Sequence, residues 1–310
     1  MLPPHLADSL LPAGLDQRYE VRDEIGRGAT GCVYRAWDSF AQRDVALKVA
    51  HAKVFEDSPE QNLVRKAWLN EVHLAGSLHH PYIVEVFDAG FGDESAYLVM
   101  EYLPHGTLEP FTRPDNLLPV EEVLVIAYKC ASALDYACRA GVVHRDIKPA
   151  NLQHIGRGAA KVGDFGAAYW SRNSNDATQV MDIGSLAYMA PELFRQWVTP
   201  QADIYALGVV VHQLLTGHRP FDAPDQATLM YRILNGTRAP LSSFRTGLPE
   251  GLDALLDKLL ARSLEDRFAT WGDALAALSH FCRSAPATTT ARERPAEAEL
   301  YDRLRALPLL

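Results

Sequence analysis

The stretch His144-Arg145-Asp146-Ile147-Lys148-Pro149-Ala150-Asn151, HRDIKPAN, decides how the rest of this chain is read. An Asp, a Lys two positions on and an Asn three positions beyond that put a carboxylate, an ammonium and an amide on one short loop. Phosphoryl transfer asks for that set, because positioning and charge neutralisation do most of its work. Asp146 is the group to orient a substrate hydroxyl and take its proton, Lys148 the charge to meet the transferred phosphate, and Asn151 a metal ligand. A chance cluster of turn residues would not keep this spacing. His144 reads as a brace for the backbone. At hairpin distance after Asn151 stands Asp164, in Asp164-Phe165-Gly166. A hairpin of that length brings Asn151 and Asp164 to one magnesium site, and Mg²⁺ favours few carboxylates together with phosphate and water oxygens.

Working outward, Lys48 lies in VALKVA, an apolar strand-like run. An unpaired ammonium in such a run is costly. Bound α- and β-phosphates and a carboxylate partner would account for it, and Glu71, on a helical stretch from Asn62 to Leu78, is the partner. The plainer alternative is a strand-end lysine with its head in water. Further toward the N-terminus, IGRGATGCV carries Gly26, Gly28 and Gly31. Glycines let a backbone approach phosphates without Cβ clashes. Their spacing alone is common in turns. A dinucleotide site would need a helix after them, whereas β-like GCVYRAWD follows. A strand–loop–strand cover over a nucleotide fits better, with Val33 on the adenine.

The chain has 310 residues, enough for two packed lobes or one large domain. With 30 basic and 39 acidic residues it carries a net charge of −9, which excludes a general nucleic-acid or anionic-membrane binder. Cys32, Cys130, Cys138 and Cys282 fit neither a zinc spacing nor a disulfide framework and imply a reducing cytoplasm. No signal peptide and no membrane span are expected. Strand patterns from Tyr19 to Leu103 (YEVRDEIGRG, GCVYRAWD, DVALKVA, IVEVFDAG, YLVMEYL) precede helical ones beyond Pro104. The helical patterns are VEEVLVIAYKCASALDYACRAG ending at Gly141, ADIYALGVVVHQLLTG, LDALLDKLLAR and WGDALAALSHFC. Residues 284–297 have linker composition, and Leu300, Leu304 and Leu307 outline a short amphipathic tail helix.

From Tyr19 to Phe281 the chain resembles the eukaryotic-like (Hanks-type) serine/threonine protein kinases of bacteria. The resemblance rests on GRGATGCVYRAWD, HPYIVEVFDAG, LVMEYLPHGTL, HRDIKPAN, DFG, GSLAYMAPE and DIYALGVVVHQLLTG. It implies an α+β, two-lobe protein-kinase-like fold: a small β-rich N-lobe (19–103) with one long helix and a larger helical C-lobe (104–283). An N-terminal extension (1–18) and a C-terminal tail (284–310) flank it. It implies an ATP-dependent protein kinase using Mg²⁺, with Mn²⁺ as a substitute, and Lys148 marks the Ser/Thr type. Ile25, Ala46 and Gln153 join Gly26, Gly28, Gly31, Val33, Lys48 and Glu71 as nucleotide-site residues. Met100 becomes the gatekeeper, and Glu101 and Leu103 offer hinge backbone to adenine. Glu192 of Ala190-Pro191-Glu192 pairs with Arg267, and Asp203 ties down the catalytic loop. The implied partners are proteins with Ser/Thr acceptors, a cognate phosphatase and a second copy during autophosphorylation. The implied location is cytoplasmic.

Three positions depart from the family pattern. Gln153 stands where an apolar residue usually lies beneath adenine, Ala75 where a larger one follows Glu71, and Ser185 where Thr is commoner. Arg145, directly before Asp146, is expected to meet a phosphate placed on the 164–192 loop, with Thr178 ahead of Ser171, Ser174 and Ser185. Cys32 is expected to point away from the nucleotide by strand alternation. A non-catalytic scaffold is the competing function, and it normally lacks equivalents of Lys48, Asp146 or Asp164. A small-molecule kinase normally lacks GSLAYMAPE.

Overall fold

A computed structural model of the chain describes residues 17–28, 31–50, 65, 68–69, 71–74, 76–91, 96–156, 158–170 and 186–284. The architecture is α+β. Five antiparallel strands, β1 (Tyr19–Arg27), β2 (Gly31–Asp38), β3 (Arg43–Ala50), β4 (Val86–Phe91) and β5 (Ala96–Glu101), form one sheet in the order β1-β2-β3-β5-β4. Register decides which side chains share a face, since residues directly opposite point the same way. Val33 faces Gly26 on one side and Lys48 on the other, Lys48 faces Leu98, and Ala46 faces Met100. These residues line the face turned toward the second lobe. The alternating set Cys32, Tyr34, Ala36, Val45, Leu47, Val49 and Val99 fills an apolar layer with Tyr19 on the opposite face. Cys32 is thus a core thiol facing away from Lys48.

The expected helix around Glu71 is helical at residues 65, 68–69 and 71–74. It stops before Leu78: Gly76 and Ser77 form a turn, and the Ser77 and Leu78 N–H groups both donate to the Leu74 carbonyl. Leu78 is buried all the same, so its apolar character reports packing beyond the helix end.

The larger part is helical: α1 (Val120–Arg139), α2 (Gln201–Thr216), α3 (Gln226–Asn235), α4 (Leu252–Leu259) and α5 (Trp271–Ser284). Every residue of α2 from Ala202 to Thr216 except Gln213 is buried, as befits a helix apolar all round. Around it α1, α4 and α5 pack into one continuous core. Gly217, at φ +77°, ends α2 in a left-handed turn where a Cβ would come 2.6 Å from the Pro114 nitrogen. Helix α3 was not foreseen. Its N-cap Asp225 accepts the Thr228 N–H, and only Leu229 and Ile233 are buried, so its apolar stripe is thin. Among the described residues no helix is long and apolar enough to cross a membrane.

Short two-stranded pairs carry the loops of interest: β6 (Val142–Val143) with β9 (Tyr169–Trp170), and β7 (Leu152–Gly156) with β8 (Ala159–Val162). The segment ahead of β4 is stitched to β8, because the Val84 N–H donates to the Val162 carbonyl (2.9 Å) and the Val162 N–H to the Tyr82 carbonyl (2.8 Å). The sheet and the helical lobe therefore meet at the loops bearing HRDIKPAN and DFG.

Candidate active site

Two non-glycine residues in these loops hold left-handed backbone: Arg145 at φ 64° and Asp164 at φ 57°. Such positions are uncommon and cluster at functional sites. Buried Asp203 holds the first in place by accepting the N–H groups of His144 (2.7 Å) and Arg145 (2.8 Å). Burial pushes its carboxyl up, opposed by those N–H donors and the nearby His144 and Arg145 side chains. The Arg145 side chain donates Nε–H to the Ala167 carbonyl (2.7 Å). His144 accepts the Asp146 N–H at Nδ1 (3.3 Å) and sits 3.0 Å from the Gly163 carbonyl through Nε2. Its ring lies 4.6 Å from that of Phe165. His144 is therefore a brace between the HRDIKPAN and DFG loops.

Asp146 is gripped from two sides. Lys148 Nζ stands 2.8 Å from its Oδ2, and Asn151 donates Nδ2–H both to that oxygen (2.9 Å) and to the Asp146 main-chain carbonyl (2.8 Å). The Asn151 amide nitrogen is thereby committed to the loop, which orients its oxygen away from Asp146. The Gly163 N–H donates to the Asn151 carbonyl (2.9 Å) and sets Asp164 beside it.

Lys48 is buried, 2.6 Å from Glu71 and 3.5 Å from Asp164. Burial alone would lower its ammonium, but the Asp164 and Glu71 carboxylates outweigh it and hold the group above its ordinary value. Burial pushes the Glu71 carboxyl up, and Lys48 opposes it. Asp164 is about half exposed, at 48% of its side chain. The Lys48 ammonium holds its carboxyl below the usual range against desolvation, helped by His144, Lys148 and the Gly166 N–H. One cation thus joins sheet, helix and DFG loop. Among the described residues no three His, Cys, Asp or Glu side chains form a metal cage. One carboxylate and one amide oxygen suit a magnesium ion that takes its remaining ligands from phosphates and water.

At the hinge, Met100 pairs with Ala46 and with Val86. Glu101 does more than was foreseen. Its N–H donates to the Glu85 carbonyl (2.9 Å), while its carboxylate accepts the Glu85 N–H (2.8 Å) and pairs with Lys161 of β8. The side chain fastens the hinge to both lobes. The Leu103 carbonyl accepts the Gly106 N–H (3.4 Å). Gln153 is half-buried on β7, bridged through its backbone to Thr107. Ile25 is 46% exposed on β1. Between the Glu71 helix and Phe165 the described side chains leave a small open recess lined by Leu74, Leu78, Val86, Met100 and Phe165.

Of the glycines, Gly28 has open space around it among the described residues. Gly31 does not: a Cβ there would lie 2.2 Å from the Val49 carbonyl oxygen. Its first requirement is close strand packing rather than phosphate approach. Glu192 and Arg267 form a two-pronged buried pair at 2.7 and 3.0 Å, and Arg267 also donates to the carbonyls of Ala261 and Gln201. Ala75, Ser171, Ser174, Thr178, Ser185, Leu300, Leu304 and Leu307 lie outside the described residues. One residue at the site escaped the sequence reading altogether: Trp68, against Lys48, whose helical spacing looks like ordinary core.

Comparison with known proteins decides the family. The protein kinase domain model matches residues 19–280. The chain belongs to the protein kinase family. The kinase is 35% identical over 274 residues to serine/threonine-protein kinase PknB of Mycobacterium leprae, covering 86% of this chain and 42% of that protein. It is 35% identical over 267 residues to PknB of Mycobacterium tuberculosis, covering 84% and 42%. It is 34% identical over 263 residues to serine/threonine-protein kinase PknL of Mycobacterium bovis, covering 84% and 65%. The kinase thus spans about two fifths of the length of the PknB proteins.

Proposed function

We propose that this chain transfers the γ-phosphate of ATP to Ser or Thr hydroxyls of proteins. The observation that carries this reading is the convergence of Lys48, Glu71 and Asp164 at 2.6 and 3.5 Å, beside an Asp146 gripped by Lys148 and Asn151. In it Lys48, locked by Glu71, receives the α- and β-phosphates. The glycine turn at Gly26 and Gly28 covers them, with Gly31 closing the turn. Ile25, Val33, Ala46, Met100, Leu103 and Gln153 enclose the adenine, and Glu101 holds the hinge. Asn151 and Asp164 would hold magnesium, with manganese as a substitute, and the metal supplies charge neutralisation to the phosphates. Asp146 orients the acceptor hydroxyl and takes its proton, while Lys148, 2.8 Å away, is placed to meet charge on the transferred group.

The wider reading follows the family: a cytoplasmic enzyme with protein substrates, a cognate phosphatase, and a second copy during autophosphorylation in the 171–185 stretch, Thr178 first. Purified protein, ATP and Mg²⁺ test it through labelled-phosphate incorporation and peptide mapping. Asp146→Asn, Lys48→Met and Asp164→Ala are each expected to lose at least a hundredfold in rate while keeping a cooperative melt. Near-normal incorporation by Asp146→Asn sinks the catalytic assignment.

A further inference from the structure

The helix that carries Glu71 carries Trp68 one turn earlier. Trp68 is 1% exposed and packs with Ala96 and Leu98 of β5, with Ala50, Val72 and Val86 against the same cluster. The Lys48 ammonium stands 5.4 Å from the centroid of its ring, within the distance over which an aromatic face attracts a cation. Three groups therefore surround Nζ: the Glu71 carboxylate, the Asp164 carboxylate and the indole. The indole Nε1–H is buried with no hydrogen-bond partner among the described residues. An orphaned buried donor is destabilising, and a phenylalanine would fill nearly the same apolar space without one. Packing alone does not account for an indole here. What it adds over a phenyl ring is the stronger π face for a cation.

We propose that Trp68 is a positioning residue for phosphoryl transfer, its π face confining the Lys48 ammonium between Glu71 and Asp164 while its ring keys the Glu71 helix to the sheet. The physical point is directional. A third carboxylate would bind an N–H of the ammonium and compete with phosphate oxygens. An aromatic face attracts the whole charge, excludes water from one side and leaves the N–H vectors to the carboxylates and the nucleotide. The inference rests on the kinase reading of Lys48 given above.

Trp68→Leu keeps apolar burial and removes the face, whereas Trp68→Phe keeps a weaker face. Two readouts separate positioning from packing. One is steady-state phosphorylation of casein with ATP varied, and the other is ATP binding with Mg²⁺ by titration calorimetry. Val72→Ala, which loosens the same cluster and keeps the ring, is the packing control, and the melting temperature of each variant is recorded beside it. Trp68→Leu is expected to lose about tenfold in kcat, with Trp68→Phe intermediate and Val72→Ala close to wild type. An unchanged kcat in Trp68→Leu overturns the proposal, and so does an equal loss in Val72→Ala at the same melting temperature, because loosened packing then suffices. Should Trp68→Leu not fold, Trp68→Phe is judged against Val72→Ala by the same criterion. A wild type that binds ATP but phosphorylates nothing removes the kinase reading and leaves the Trp68–Lys48 contact to be judged on ATP binding, which Trp68→Leu is expected to weaken several-fold.

Discussion

His212 shows how a single residue can be read for its type and missed for its effect. It lies on α2, wholly buried, with its Nδ1 2.8 Å from the His218 carbonyl and with no partner for Nε2 among the described residues. Burial pushes its imidazole down to about 4, with Arg238 in the same direction and the His218 carbonyl and Asp253 opposed. In the unfolded chain an imidazole titrates near 6.5. Between about 6.5 and about 4 the unfolded chain therefore binds a proton that the folded one refuses. Stability falls as pH drops through that window, by on the order of 3 kcal/mol, and is fully present above it. His212→Gln can still donate to the His218 carbonyl and does not titrate. Its melting temperature is expected to vary less between pH 6.5 and pH 4 than that of wild type. An unchanged slope would assign the acid sensitivity to other histidines, such as His80 and His154, whose imidazoles burial also lowers. In sequence, a lone His in an apolar helix carries no sign of this, because the desolvation comes from neighbours far along the chain. HRDIKPAN, by contrast, was legible residue by residue, since its members meet within one loop.

At the scale of elements, the β1–β2 turn holds glycines that look alike in sequence and differ in role. Among the described residues nothing lies where a Cβ of Gly28 would go, whereas at Gly31 a Cβ would strike the Val49 carbonyl of β3. Gly31→Ala is expected to cost about 1–3 kcal/mol through overpacking, read as a lower melting temperature. Gly28→Ala is expected to melt within a degree or two of wild type and to raise the KM for ATP several-fold. If Gly31→Ala melts normally, the strands can part at no cost and the packing argument fails. Strands β2 and β3 and helix α1 were readable from alternation and helical spacing, because each buries a full face. Helix α3 was not, because it buries only Leu229 and Ile233. The helix around Glu71 was placed too far at its C-terminal end, because Leu78 is buried by packing after the helix has turned.

For the whole molecule, Glu192 and Arg267 form a long-range buried tie, side chains 5% and 0% exposed, 75 positions apart. Removing one partner leaves a buried charge, which costs about 3–5 kcal/mol. Glu192→Ala is expected to lower the melting temperature by on the order of ten degrees. The double variant Glu192→Leu/Arg267→Met should recover part of that loss, the shortfall reflecting the Ala261 and Gln201 carbonyls that Arg267 also serves. Equal melting of Glu192→Ala and wild type would show that the charge finds water and is not buried in solution. The sequence by itself determined which polar groups share the two loops and the order of parts. Asp146, Lys148, Asn151 and Asp164 sit on short loops where spacing limits which groups can meet, and strand and helix periods mark the lobes. An ammonium in an apolar run called for a carboxylate and pointed to Glu71, while the likeness to the kinase family supplied the Glu192–Arg267 pairing to look for. Only the tertiary structure decided that the Glu101 carboxylate fastens the hinge to Lys161, 60 positions away, that Gly31 answers to Val49, and that Trp68 stands over Lys48. Each of these depends on sheet register and on how a helix docks. Those are set by the packing of the whole core, so no local spacing carries them.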